Sequence, residues 1–176
     1  MKICLTGYRN TGKSTFIDCI KKYNWEVYMA DDFIHEIYKK NRIGYEFISN
    51  TFGSEYTTSI EVDRIKLNEL VLRDKESLKK LNEFCHKQIY EWIESLNGEK
   101  VIVELAIYML SPSFFEKLFN KVILVERKNN PIDVNHISKF LTFPVKFEPD
   151  YVLENNSTIE EYIKNNNIFC KSLNNN

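Results

Sequence analysis

Gly7, Gly12, Lys13 and Ser14 occupy the fixed places of a GxxxxGK[ST] pattern, with Tyr8, Arg9, Asn10 and Thr11 between them. Each fixed place has a chemical reason. Gly7 lets the chain leave a strand in a tight turn, and Gly12 lets the backbone approach a β-phosphate with no Cβ in the way. The intervening N–H groups point at anionic oxygens, and a helix starting at Lys13 adds its positive end. Lys13 reaches the β- and γ-phosphates, and Ser14 offers a hydroxyl to Mg2+. Four such positions coincide by chance in roughly 1% or fewer of chains this long. Here an apolar run precedes the loop and a helical pattern follows it. The sequence therefore predicts a site for a nucleoside triphosphate, ATP with Mg2+, over Gly7–Thr15, with Arg9, Asn10, Thr11 and Thr15 among its contacts.

Two acids stand where such a site needs them. Asp31 follows the second apolar run at the start of a helix. A carboxylate there can take a proton from an acceptor hydroxyl or help hold Mg2+. Asp is also a favoured helix cap, and Asp31 with Asp32 could do only that. Glu104 ends the third apolar run, a place where phosphate-loop proteins put an acid that holds Mg2+ or its water. An ordinary strand-end charge would look the same. Arg64, Arg127, Lys128 and Lys139 are candidates for phosphate contacts, and each also reads as a solvated surface charge. His35 and His86 lie near apolar helix faces, where a core or edge role is the simpler reading. Trp25 and Trp92 read as core.

The elements that must position these residues follow from hydrophobic period. Lys2–Thr6, Glu26–Met29, Val101–Leu105, Lys121–Val125 and Asp150–Leu153 are short apolar runs without alternation, as expected of buried parallel strands. Helices are expected from Lys13, after Asp31, over Asp63–Arg73 and over Ser77–Leu96. The last carries Leu78, Leu81, Cys85, Ile89, Trp92 and Leu96 at steps of three and four, and Asn97-Gly98 ends it. Ser111 before Pro112 starts a short helix to Phe119. Ser157 and Glu160 form a capping box before a last helix. Alternating strands and helices predict an α/β fold of three layers, a five-stranded parallel sheet with helices on both faces. Ligands of such sheets sit at the carboxyl ends of the strands.

Composition narrows the class. The chain has 176 residues, 43% of them hydrophobic and 28% charged, with a net charge of −1. That suits one folded domain, taken as 1–171, with a frayed Asn-rich tail over 172–176. No basic stripe points to nucleic acid. The four cysteines are far apart and form no metal spacing, which suits reduced thiols in the cytoplasm. No apolar run approaches a membrane span, and a strand starting at Lys2 leaves no room for a signal peptide. A monomer is expected.

Beyond the loop, the run Val27–Glu36 and the pairs Phe52-Gly53 and Asp63-Arg64 come in an order that resembles the dephospho-coenzyme A kinase family. The helix from Leu81 to His86, the strand from Val101 to Ile107 and the run Pro149–Asn155 continue the likeness. It spans most of the chain. The phosphate loop alone marks only the superfamily, and the later motifs make the likeness specific. The resemblance implies a nucleoside-monophosphate-kinase-like fold and transfer of the ATP γ-phosphoryl to the ribose 3′-hydroxyl of dephospho-coenzyme A. It implies Lys13 and Asp31 as catalytic groups, Asp31 taking the proton. His35, Arg64, His86 and Glu104 would seat the acceptor, and Asn155 would lie near the adenine. Another small-acceptor kinase, or a nucleotide-binding protein that no longer catalyses, shares the same loop. Several positions depart from the family pattern. Met29 and Glu104 stand where the family has aspartates, Lys87 replaces a proline, and Tyr8, Arg9 and Asn10 replace a glycine-richer loop. The lid-like segment 127–144 is short and offers His136 and Lys139 in place of lid arginines.

Overall fold

The computed structural model of the chain describes residues 1–128 and 146–175, and the expected lid-like segment falls outside them from residue 129 on. The chain forms two compact units, one of Met1–Met29 with Leu96–Asn176 and one of Ala30–Ser95.

The first unit holds a parallel sheet of β1 (Lys2–Thr6), β2 (Glu26–Met29), β3 (Val101–Glu104), β4 (Lys121–Glu126) and β5 (Tyr151–Glu154), in the order β2-β3-β1-β4-β5. All four pairings are parallel. The apolar runs become strands because both sheet faces are covered. β3 is buried throughout and β1 from Ile3 on. The two edge strands are less covered: in β5 Tyr151 and Leu153 are half-buried while Val152 is exposed, and β2 has no fully buried residue. On one face Ile3, Leu5, Ile102, Ile123 and Val125 meet Phe16, Ile17 and Ile20 of α1 (Lys13–Ile20) and Tyr162, Cys170 and Leu173 of the C-terminal helix. The buried residues of β1 and β3 that alternate with these belong to the other face. Beside that face run a 3₁₀ turn over Ala106–Leu110 and a one-turn helix, α6 (Pro112–Phe115), burying Tyr108, Met109 and Phe115. Proline at the first helical position starts that helix as expected, with 3₁₀ geometry completing the stretch to Leu118.

The second unit is helical. It contains α2 (Ala30–Ile37), α3 (Ile43–Thr51), α4 (Arg64–Arg73) and α5 (Lys75–Ser95). Phe33 of α2 stacks on Trp92 of α5 with ring centroids 4.5 Å apart, and Phe47 of α3 stacks on Phe84 of α5 at 3.9 Å. The stripe read on α5 also includes Ile93, which is fully buried. The sequence reading left 43–62 unassigned. α3 opens at Arg42 with no side-chain cap and carries Gly44 in its first turn, which masks it as a loop. That glycine is needed, because a Cβ there would lie 2.7 Å from the Ile37 carbonyl oxygen. Residues 57–62 then fold back by antiparallel bridges, Lys39 with Glu61 and Thr57 with Val62. Asp63 accepts a hydrogen bond from Lys66 N at 3.1 Å and so caps α4, placing Arg64 at its first turn.

Two expectations at the C-terminus are corrected. The last helix, now α7, runs Ile159–Asn174, so Ser172–Asn174 are helical and not a frayed tail. Leu173 is 4% exposed in the core, and Lys100 Nζ donates to Asn174 Oδ1 at 2.9 Å. Its cap is Thr158, whose hydroxyl accepts from Glu161 N, not Ser157. Both Ser157/Glu160 and Thr158/Glu161 satisfy the capping pattern, and local sequence does not rank them.

Leu173→Ala deletes a buried side chain at the helix end and should cost about 2–5 kcal/mol of stability. Urea denaturation checks this. A frayed tail would give a change within about 0.5 kcal/mol.

Candidate active site

Strand β1 ends at Thr6, whose Oγ1 donates to the Leu105 carbonyl at 2.9 Å. The chain then turns through Gly7 at φ +144, where a Cβ would overlap the Val125 carbonyl oxygen. Thr11 is buried and donates its hydroxyl to the Tyr8 carbonyl at 2.9 Å, closing the loop on itself. Asn10 at φ 62 and Gly12 at φ 111 take the left-handed conformation. A run of this kind turns successive N–H groups toward one hollow. α1 then begins at Lys13 with no side-chain cap and no acid in its first turn, so its positive end is left for a ligand.

The Gly12 position has a second steric reason besides phosphate approach. A Cβ on it would lie 2.6 Å from Asn155 Nδ2 and 3.0 Å from the Tyr162 ring. The loop is therefore backed by side chains from β5 and α7. Asn155 Nδ2 donates to the Thr11 carbonyl at 2.8 Å, and the Tyr162 hydroxyl donates to the Gly12 carbonyl at 3.4 Å. Asn155 itself is anchored through its N–H to the Glu126 carbonyl at 2.8 Å.

Lys13 is turned inward. Its Nζ donates to the carbonyls of Gly7 at 2.9 Å and Tyr8 at 2.8 Å, and lies 3.5 Å from Glu104 Oε1. Only 11% of its side chain and 10% of that of Glu104 is exposed. The register that pairs Leu5 with Glu104 brings this acid to the end of β1. Beneath it, burial first and the Glu104 charge second push the Cys4 thiol well up, so Cys4 is a neutral core thiol. Ser14 is exposed and its hydroxyl makes no hydrogen bond among the described residues. Hydroxyl and carboxylate oxygens are the donor types Mg2+ prefers, so Ser14 and Glu104 fit that ion by chemistry. Among the described residues no cluster of three or more His, Cys, Asp or Glu forms a metal site. Beside the loop a cavity of about 240 Å³ opens between Tyr8 and Thr11 and the strand ends at Glu126, Arg127, Glu154 and Asn156. Arg127 and Lys128 border it, whereas Lys139 and His136 lie outside the described residues.

The other sequence-predicted residues lie in the helical unit. Asp31 is in the first turn of α2, which starts at Ala30, so it is not the residue that caps that helix. Its carboxylate is exposed and has no hydrogen bond or ion pair among the described residues. His35 is four residues on and shares its helix face. Arg64 donates from Nη1 to Nε2 of His35, joining α4 to α2. Asp31, His35 and Arg64 thus bring an acid, an imidazole and a guanidinium to these two helices. His86 sits half-buried on α5, next to Cys85, whose thiol meets the Tyr38 hydroxyl at 3.4 Å. Burial pushes the His86 imidazole below its ordinary range. Tyr162 was missed by the sequence reading. Its only signal there is a place on the apolar stripe of α7, which reads as core.

Residues 1–131 match the family model described as Dephospho-CoA kinase. A dephospho-CoA kinase of Mycoplasma genitalium is 30% identical over 178 residues, spanning 98% of this chain and 88% of that protein. A second, from Mycoplasma pneumoniae, is 28% identical and spans 98% and 92%. Among solved structures, the dephospho-CoA kinase from Campylobacter jejuni superposes with a TM-score of 0.70 at 21% identity, over 99% of this chain and 98% of that one. Shikimate kinase from Bacteroides thetaiotaomicron gives 0.53 at 13% identity, over 98% and 97%. At these identities the structural likenesses establish the fold, that of the P-loop kinases. No helix among the described residues is long and apolar enough to cross a membrane.

Lys13→Met should abolish turnover and weaken ATP binding. Because it removes the cation beside a buried carboxylate, it should also cost about 1–3 kcal/mol of stability. Adding Glu104→Gln should recover most of that stability and none of the turnover. Thermal melts and an ADP-release assay on both variants measure the two effects separately.

Proposed function

This chain belongs to the dephospho-CoA kinase family, ATP-dependent kinases that form CoA from dephospho-CoA, and we propose that its loop Gly7–Thr15 holds the phosphates of ATP and that Asp31 accepts the proton of the attacking ribose 3′-hydroxyl. The observation that carries this reading is the loop itself. Its backbone is turned as a phosphate cradle, and it opens an uncapped helix whose first turn has no acid.

In this reading Lys13 exchanges its two loop carbonyls for the β- and γ-phosphate oxygens as ATP enters. The exchange is inexpensive because the charge is already desolvated and hydrogen-bonded before ATP arrives. The N–H groups of Lys13, Ser14 and Thr15, which have no acceptor within the helix, meet the remaining oxygens. Arg9 and Asn10 cover the phosphates from the loop tip. Ser14, with Glu104 behind it, would hold Mg2+, which neutralises phosphate charge when bound. The cavity bordered by Tyr8, Arg127 and Asn156 lies at the carboxyl ends of β4 and β5 and takes the base.

On the acceptor side, the exposed Asp31 carboxylate has no hydrogen bond or ion pair among the described residues and is placed to accept a proton. Arg64, held by the Nε2 lone pair of His35, carries its charge to the diphosphate of dephospho-CoA. His86 stays neutral because of burial and offers the acceptor a hydrogen bond without a charge. Catalysis of this kind rests on positioning and charge neutralisation.

A coupled ADP-release assay with dephospho-CoA, deoxynucleoside monophosphates and pantothenate tests the reading, and turnover should appear with dephospho-CoA. ATP binding without turnover on any acceptor would count against catalysis. Asp31→Asn keeps size and helix compatibility and removes the base. Its melting temperature should hold while turnover falls by about 10² or more, with ATP affinity little changed. Full activity in a normally folded Asp31→Asn protein would defeat the assignment.

A further inference from the structure

The Thr11 and Gly12 carbonyls belong to consecutive peptides, and both are held from the same side. Asn155 takes the first and Tyr162 the second, from positions 144 and 150 residues away in sequence. In a trans peptide the N–H points opposite to the C=O. A carbonyl drawn toward β5 and α7 therefore aims the next N–H away from them. The two N–H groups set in this way are those of Gly12 and Lys13, at the mouth of α1. We propose that Asn155 and Tyr162 are positioning residues for the phosphate cradle, acting through the loop backbone and not by touching the nucleotide. This rests on the reading that Gly7–Thr15 holds the ATP phosphates.

The anchors are themselves rigid. Tyr162 is 1% exposed, and a Cβ on Gly12 would lie 3.0 Å from its ring, closer than ordinary van der Waals contact. Burial pushes its hydroxyl upward, and the facing Asn166 amide offsets this only in part, so it stays a proton donor at all working pH values. Asn166 Nδ2 is buried with no hydrogen-bond partner among the described residues. The Gly12 carbonyl also accepts from Phe16 N at 3.2 Å, so the hydroxyl adds a second, lateral hold to a helical bond. Asn155 is set by its own N–H on Glu126, while the next residue, Asn156, accepts from Lys128 N at 2.7 Å through Oδ1. The bracket thus carries the ends of β4 and β5 into the loop. One of the two Nδ2 hydrogens of Asn155 is spent on the Thr11 carbonyl, which ties its side chain to the loop.

Calorimetric titration with inorganic tripolyphosphate and with ATP separates the two roles, because tripolyphosphate has no base. Tyr162→Phe keeps the ring and removes the hydroxyl; Asn155→Ala removes the amide. Each should weaken tripolyphosphate and ATP by the same factor, about 5-fold for one hydrogen bond. The KM for dephospho-CoA should stay as in the unaltered protein. If Asn155→Ala weakens ATP but leaves tripolyphosphate unchanged, Asn155 serves the base and the inference is wrong. If both variants bind both ligands normally and only melt earlier, their role is structural and the inference is again wrong. Lys13→Ala, run alongside, reports on the premise. Tripolyphosphate binding unaffected by that change would remove the phosphate loop reading and the inference with it.

Discussion

A lysine with 11% of its side chain exposed must have its charge met, and in this protein three groups at the carboxyl ends of β1 and β3 meet it. The Gly7 and Tyr8 carbonyls are free to accept because the chain there has left β1 and has not yet entered α1. Glu104 is within reach because β3 lies beside β1 in a register that pairs it with Leu5. The loop is thus organised around a buried cation. In the proposed reading ATP would replace a set of protein acceptors, not water, and the charge would need little reorganisation.

The same loop depends on chain that comes much later. β5 and α7 contribute no sequence motif for phosphate, yet their residues stand behind the two peptides where the loop becomes a helix. This explains why α7 is packed to its last turn. Leu173 and Cys170 join the core that Phe16 and Ile20 of α1 share, so the helix bearing Tyr162 and the helix opening at Lys13 are one packed pair. Burial pushes the Cys170 thiol up to about 12, consistent with a residue that only fills space.

The helical unit works by a different principle. The residues proposed for the acceptor side are held by helix geometry and by one contact between helices. Asp31 and His35 share a face because they are four residues apart, and Arg64 joins them because Asp63 caps α4 and sets where that helix begins. The cap and the guanidinium are adjacent in sequence, and the cap makes the neighbour's position reproducible. Aromatic stacking of Phe33 on Trp92 and of Phe47 on Phe84 ties α2 and α3 to the long helix α5.

What was legible in the sequence is what near neighbours encode. Five apolar runs without alternation made five parallel strands, and the run 7–14 could be read as a phosphate-loop pattern because its fixed residue types lie within eight consecutive positions. The register of α7 was ambiguous, since Ser157 and Thr158 both begin a capping pattern. Burial of Tyr162, Asn166, Cys170 and Leu173 on one face decided for Thr158. α3 was hidden by Gly44, whose place makes sense only against the Ile37 carbonyl of another helix. The inward turn of Lys13 depends on strand order, and strand order is not written in any one strand. The family resemblance implies a place near the adenine for Asn155, and Tyr162 reads as core; neither reading says which loop carbonyls they hold. Their donors reach carbonyls 144 and 150 residues away, and carbonyls are carried by every residue alike. No residue type marks such a partner in advance, so only the tertiary structure could decide it.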